Sequence, residues 1–257
     1  NTFDRRRSHD LASCFVGNRL LSTFSPGDRA MMEQCGELVQ LSRGDTLVEV
    51  GGEVSATYFP CPGAMLALGL RLEDGRTVEV ATIGSEGALC GIVSCGRTPA
   101  FACASVQIAG SAVRIDIDDL EALKVRSPAV RSLFCRYADA LLSQVMQSVA
   151  CNAHHALDAR FCRWLLTVHD RIGRNDLPLT QEDFAQMLGV QRTTVTSIVR
   201  NLQNQGSIRQ SRGSLRILDR AAIEQKSCEC YLDVKTHFHA VLPEIKPQKI
   251  SDARTPA

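Results

Sequence analysis

The sequence predicts an α+β chain: a small antiparallel β-roll, then one long amphipathic helix, then a compact helical unit closed by a hairpin. Three observations predict it. Short apolar runs punctuated by glycine fill residues 38 to about 117, the hydrophobic period shifts to three- and four-residue steps up to about 154, and residues 158–220 set two short helical patterns before a polar turn. A length of 257 residues with 44% hydrophobic content suffices for more than one cored unit. The expected units are a roll over 18–117, a long helix with its hinge over 118–157, a winged helix-turn-helix unit over 158–223 and a C-terminal extension over 224–257.

Taken in order, Ser25-Pro26-Gly27-Asp28 opens a short helix over Arg29 to Cys35, because proline lacks the N–H that a first turn leaves unpaired. Val39 to Val50 alternates loosely around Arg43-Gly44-Asp45, and Gly51-Gly52 ends it. Leu66 to Val80 reads as two strands joined at Glu73-Asp74-Gly75, where Asp-Gly favours a tight hairpin. Val80–Ile83, Ala102–Ile108 and Ala112–Ile117 read as further short strands, a spacing that suits a roll or small barrel.

After Pro128, Phe134, Ala138, Leu141 and Val145 fall on one helical stripe, widened by Leu133, Tyr137, Leu142, Met146 and Val149. A stripe this wide packs on its own roll and meets the same helix of a second copy; the alternative is a lone helix buried within one subunit. The expected dimer seam comprises Phe134, Tyr137, Ala138, Leu141, Val145, Ser148 and Val149.

The net charge of +1 excludes a uniformly basic rod, so any nucleic-acid surface has to be local. Eleven cysteines, an odd and dispersed set, argue for small buried hydrophobes in a reducing compartment rather than a secreted disulfide scaffold. Arg5, Arg6 and Arg7 precede no signal-length apolar stretch, and no run reaches the roughly 18 apolar residues of a membrane helix. The chain opens without Met, which leaves room for sequence lost or processed ahead of Asn1. The expectation is a cytoplasmic protein with no membrane partner.

The sharpest signal begins at Thr180-Gln181-Glu182-Asp183. Thr180 caps a helix whose first turn is acidic, and Phe184, Ala185 and Leu188 give it an apolar face. Gly189 takes a tight turn, and Val190, Val195, Ile198 and Leu202 bury a second helix from Gln191 to Asn204. This leaves Gln191, Arg192, Thr193, Thr194, Ser197 and Arg200 outward, the side-chain types that read major-groove edges and phosphates. Ser207–Gln210 and Leu215–Leu218 then read as the strands of a wing around Ser211-Arg212-Gly213-Ser214. From Gly189 to Arg220 six arginines face Asp219 alone, a local charge of +5. The candidate DNA contacts are Thr180, Gln181, Gln191, Arg192, Thr193, Thr194, Ser197, Arg200, Arg209, Arg212 and Arg216.

Residues 177–220, with Ala159-Arg160 and Trp164-Leu165-Leu166 upstream, resemble the DNA-binding domain of the Crp/Fnr family of bacterial transcription regulators. The resemblance implies a cyclic-nucleotide-binding-like roll, a dimer helix, a palindromic promoter site and RNA polymerase as a partner. It places Arg192, Thr193 and Ser197 at the family's base-reading positions. It also implies that the phosphate-gripping arginine and hydroxyl of cAMP-binding members fall at Ala100 and Phe101, and their base-contacting hydroxyls at Val145 and Met146. A buried phosphate without its arginine is costly, so cAMP binding is not expected; no cofactor is expected and the effector is unassigned. The stretch Cys95 to Ala102 resembles the Fnr branch, yet only Cys14 and Cys35 precede the roll, too few for that branch's iron–sulfur site.

Other constellations are weaker. Cys228-Glu229-Cys230 with His237 and His239 offers two thiols and two imidazoles, but the spacing is not that of a zinc finger, and no metal ligand is assigned. His154 and His155 suit a helix C-terminus more than haem. Cys61, Cys90, Cys95 and Cys103 read as buried hydrophobes before a redox set. A cupin-type enzyme is excluded by the lack of histidine between residues 10 and 153, and no enzymatic activity is expected. The remaining alternative to a regulator is a ligand-sensing adaptor that acts on a protein partner with a degenerate helix-turn-helix.

Overall fold

A computed structural model describes residues 11–73, 77–92 and 96–242. Residues 11–17 form α1, and α2 (Arg19–Ser22) follows on Asn18, whose side chain accepts from the Leu20 and Leu21 amides. In α3 (Pro26–Cys35) Ser25 caps by accepting from the Asp28 amide and Pro26 holds the first turn, as the sequence predicts.

The roll consists of β1 (Gly36–Leu41), β2 (Thr46–Val48), β3 (Ala56–Pro60), β4 (Met65–Arg71), β5 (Thr77–Ile83), β6 (Cys103–Ile108) and β7 (Gly110–Asp116). They form two antiparallel sheets, ordered β1-β7-β3 and β2-β6-β4-β5. Val80–Ile83 is the end of β5 rather than a separate strand, and the Asp74-Gly75 turn lies outside the described residues. No strand is expected at Ala56–Pro60, yet β3 pairs with β7, and fully buried Phe59 packs edge-on against Phe134 at 6.1 Å. A disulfide joins Cys14 of α1 to Cys61, so Cys61 is not the free buried hydrophobe that the sequence suggests, and the expectation of reduced cysteines fails at this pair; Cys95 lies outside the described residues.

Within 118–157 the long helix itself begins at Pro128. The chain forms α4 (Ile117–Arg126), breaks at Ser127, and restarts as α5 (Pro128–His154). Ser127 accepts from the Val130 amide, and Pro128 cannot donate backward, so a cap and a proline together reset the helix.

Helix α5 divides the expected seam residues between the core of the subunit and its surface. Phe134, Tyr137 and Leu141 are buried inside their own subunit; Tyr137 donates to the Ala88 carbonyl at 2.9 Å and meets Phe238 edge-on. The Tyr137 hydroxyl lies 2.1 Å from where a Cβ on Gly87 would sit, so only glycine fits there. Ala138, Val145 and Ser148 are half-buried, while Leu142, Met146 and Val149 are 54%, 58% and 67% exposed and form the outward stripe.

The last third contains α6 (Leu157–Ile172), β8 (Asp176–Leu177), α7 (Gln181–Leu188), α8 (Arg192–Asn204), β9 (Ile208–Ser211), β10 (Ser214–Ile217), α9 (Arg220–Lys226) and α10 (Cys230–Val241). Its core, built on Phe161, Leu165, Phe184, Val195, Ile198 and Leu202, takes in Met65 and Ile108 from the roll. The described part of the C-terminal extension, residues 224–242, packs onto the rest of the chain. Helix α10 lies along α5, and Asp170 of α6 accepts from Arg220 and Tyr231, both at 2.7 Å, and from Lys235 at 3.2 Å. Buried Arg171 bridges units, donating to Glu86 of the roll and to Gln144 of α5, both at 2.7 Å. Among the described residues, no helix is long and apolar enough to cross a membrane.

Candidate nucleic-acid interface

Helices α7 and α8 meet at Gly189, whose φ of +67° is the left-handed conformation that glycine adopts without strain. Thr180 forms a reciprocal capping box with Asp183, which makes it first of all a structural residue. Gln181 is a brace: its amide donates to Gln210 of the wing at 2.6 Å and its carbonyl accepts from Thr196 of α8 at 2.5 Å. It sets the angle between the wing and α8, a role the sequence does not reveal because its partners are 15 and 29 residues away.

Val195, Ile198, Val199 and Leu202 bury one side of α8, and this turns Gln191, Arg192, Thr193, Thr194, Ser197 and Arg200 outward together. Arg209 and Arg212 are exposed on the wing. Among the described residues Arg192, Arg200, Arg209 and Arg212 form no ion pair. Arg216 is drawn toward Asp176 at 3.6 Å, and Arg220 is spent on Asp170 and Glu224. The +5 of the segment thus reduces on the surface to these four arginines, on one face with the start of α8.

Two cavities lie elsewhere. One, of about 250 Å³, opens between α5, α6 and α10 beside Arg171 and Lys235. The other, of about 210 Å³, lies on the β4-β5-β6 face and is lined by Glu79 and Gln107. Ala100 pairs with the Gly51-Gly52 turn, Phe101 is 85% exposed, and Arg97 is held by Glu53, Asp116 and Asp118 at 3.1, 3.3 and 3.0 Å.

Glu79 is half-buried as a residue, but its Oε1 is closed off from solvent without a partner, and its other oxygen accepts from Gln107. Burial raises its carboxyl from 4.5 to about 8, against the opposing pull of Gln107, Arg171 and Arg163. The folded state therefore keeps a proton that the unfolded chain releases near 4.5, and stability falls as pH rises from there through about 8. Glu79→Gln is expected to flatten this fall, gaining about 1–3 kcal/mol over the parent between pH 5 and pH 9 in thermal unfolding.

The fold is a β-roll, a long helix and a winged helix-turn-helix unit. Residues 159–226 match the Crp-like helix-turn-helix domain family. The chain aligns with FixK2 from Bradyrhizobium japonicum at a TM-score of 0.65 and 16% identity, covering 75% of this chain and 98% of that one. A Crp/Fnr-family transcriptional regulator from Thermus thermophilus aligns at 0.58 and 18% identity, covering 74% and 98%. The c-di-GMP-responsive global regulator CLP of Xanthomonas campestris aligns at 0.61 and 13%, covering 75% and 99%. No curated protein matches the chain in sequence. The Crp/Fnr resemblance thus holds, in sequence over the helix-turn-helix domain and in fold over about three quarters of the chain.

Proposed function

We propose that this chain is a sequence-specific DNA-binding transcription regulator that grips a palindromic promoter site as a homodimer. The observation that carries the reading is the outward face of α8 and the wing, where Gln191, Arg192, Thr193, Thr194, Ser197, Arg200, Arg209 and Arg212 stand together on a buried scaffold. Short polar side chains at a helix start suit base edges in the major groove, while wing arginines suit phosphates. The exposed Leu142, Met146 and Val149, at steps of four and three, support a seam with a second copy that sets two reading heads one helical turn apart. RNA polymerase recruitment follows from the family likeness, and the cytoplasm from work on the chromosome. A signal at the roll or beside α5 tunes the activity; tight cAMP binding is not proposed.

The test is fluorescence anisotropy on a site selected from random-sequence DNA. Arg192→Ala is expected to cost about 1–3 kcal/mol on the selected site and little on unrelated DNA. Arg212→Ala is expected to weaken all sequences alike and lower the salt slope by about 1. Binding by the parent that is insensitive to salt and sequence would remove the proposal.

A further inference from the structure

The end of α5 and the link between α9 and α10 bring together four side chains that no part of the DNA-binding reading uses. Cys151 lies in the last turn of α5, and His155 is its C-cap, one helical turn further on. Cys228 and Cys230 flank Glu229, the N-cap of α10, and Cys230 is the first residue of that helix. The sulfurs of Cys151 and Cys228 are 3.5 Å apart, the Cys230 sulfur is 3.4 Å from His155 Nδ1, and all four atoms lie within 4.8 Å of one another. Cys151, Cys228 and Cys230 are buried and His155 is half-buried. The sequence suggests Cys228 and Cys230 with His237 and His239 instead, but His237 bonds Asp139 at 2.9 Å and does not join the group.

We infer that Cys151, His155, Cys228 and Cys230 form a tetrahedral site for a single thiophilic divalent cation, zinc by its chemistry. A tetrahedral ion bonded at about 2.3 Å to sulfur and 2.0–2.1 Å to nitrogen spaces its ligands by roughly 3.6–3.8 Å, close to the 3.5 Å of Cys151–Cys228 and the 3.4 Å of Cys230–His155, with the whole group inside 4.8 Å. His155 is oriented as a metal-bound imidazole is. Its Nε2 meets the Glu229 carboxylate at 3.0 Å, which fixes the proton there and leaves the Nδ1 lone pair toward the thiols. Three thiolates and a neutral imidazole around a dication leave one negative charge. Arg160 and Arg163 lie within electrostatic reach of that charge. Each has a buried Nε without a hydrogen-bond partner, a donor suited to a thiolate sulfur.

The site is closed, with four protein ligands and no open position, so its role is structural rather than catalytic. It ties the end of the long helix and the hinge at Ala156 to the C-terminal extension. The assignment stands independently of DNA binding.

The test is metal analysis of the full-length chain purified under reducing conditions, followed by cobalt(II) substitution. One zinc per chain is expected, and the cobalt form is expected to show sulfur-to-cobalt charge transfer with tetrahedral ligand-field bands. Cys151→Ser and Cys228→Ser should each abolish that spectrum, whereas Cys135→Ser, on an exposed position of α5, should keep it. Should the serine variants fail to fold, Glu229→Gln provides the second measurement: a folded protein with zinc affinity about 10- to 100-fold weaker. The site is overturned by a folded chain that takes up neither zinc nor cobalt, by a Cys151–Cys228 disulfide in its place, by iron with inorganic sulfide, or by a cobalt spectrum that Cys228→Ser leaves unchanged. An affinity untouched by Glu229→Gln overturns the role given to His155.

Discussion

Leu142→Glu combined with Met146→Glu is expected to turn the protein into a folded monomer that binds a two-half-site DNA about 10²- to 10⁴-fold more weakly than the parent. Both residues are more than half exposed on α5, so neither change removes a buried contact within the subunit. In the proposed two-fold dimer these glutamates bring like charges to the seam, and like charges there oppose pairing. Affinity for a two-part site depends on both reading heads being tethered, so loss of the pair removes the effective-concentration term without touching α8. Analytical ultracentrifugation and anisotropy on full and half sites check the two parts separately. A dimer that persists in the double variant would place the seam elsewhere on the molecule.

Glu86→Ala is expected to lower the unfolding free energy by about 3 kcal/mol, read as a drop in denaturant midpoint with an unchanged slope. Arg171 is only 8% exposed and is held by Glu86 and Gln144, so loss of the carboxylate leaves a buried guanidinium with one neutral acceptor. Removing one partner of such a pair costs far more than replacing both by apolar groups. Glu86→Leu with Arg171→Met is therefore expected to recover most of the loss. If the single variant costs less than about 0.5 kcal/mol, the pair behaves as a solvated surface contact.

The helix-turn-helix was legible because its determinants are local. The cap at Thr180, the left-handed Gly189 and the burial period of α8 all fall within a short stretch whose own chemistry fixes its shape. The orientation of α5 was not, because two adjacent stripes are both apolar. Which one turns inward is decided by Phe59, Ala88 and Phe238, residues remote in the chain. The same distance hid the roles of Arg216 and Arg220, since Asp176 and Asp170 neutralise them from other elements. It hid β3 as well, whose pairing with β7 depends on a strand far down the sequence. The thiol group beside the hinge joins Cys151 to a residue 77 positions on, a relation that spacing rules built on finger motifs do not reach.

Met65 and Ile108 belong to the sheets, yet they share one packed cluster with Phe161, Phe184 and their neighbours. Any swing of the recognition head away from the roll has to strip both of these side chains, at about 1.5–3 kcal/mol each. Intermediate tilts incur that loss before new contacts form. The shared cluster therefore holds the helical unit against the roll as one packed body, and parting them is an abrupt step rather than a gradual tilt.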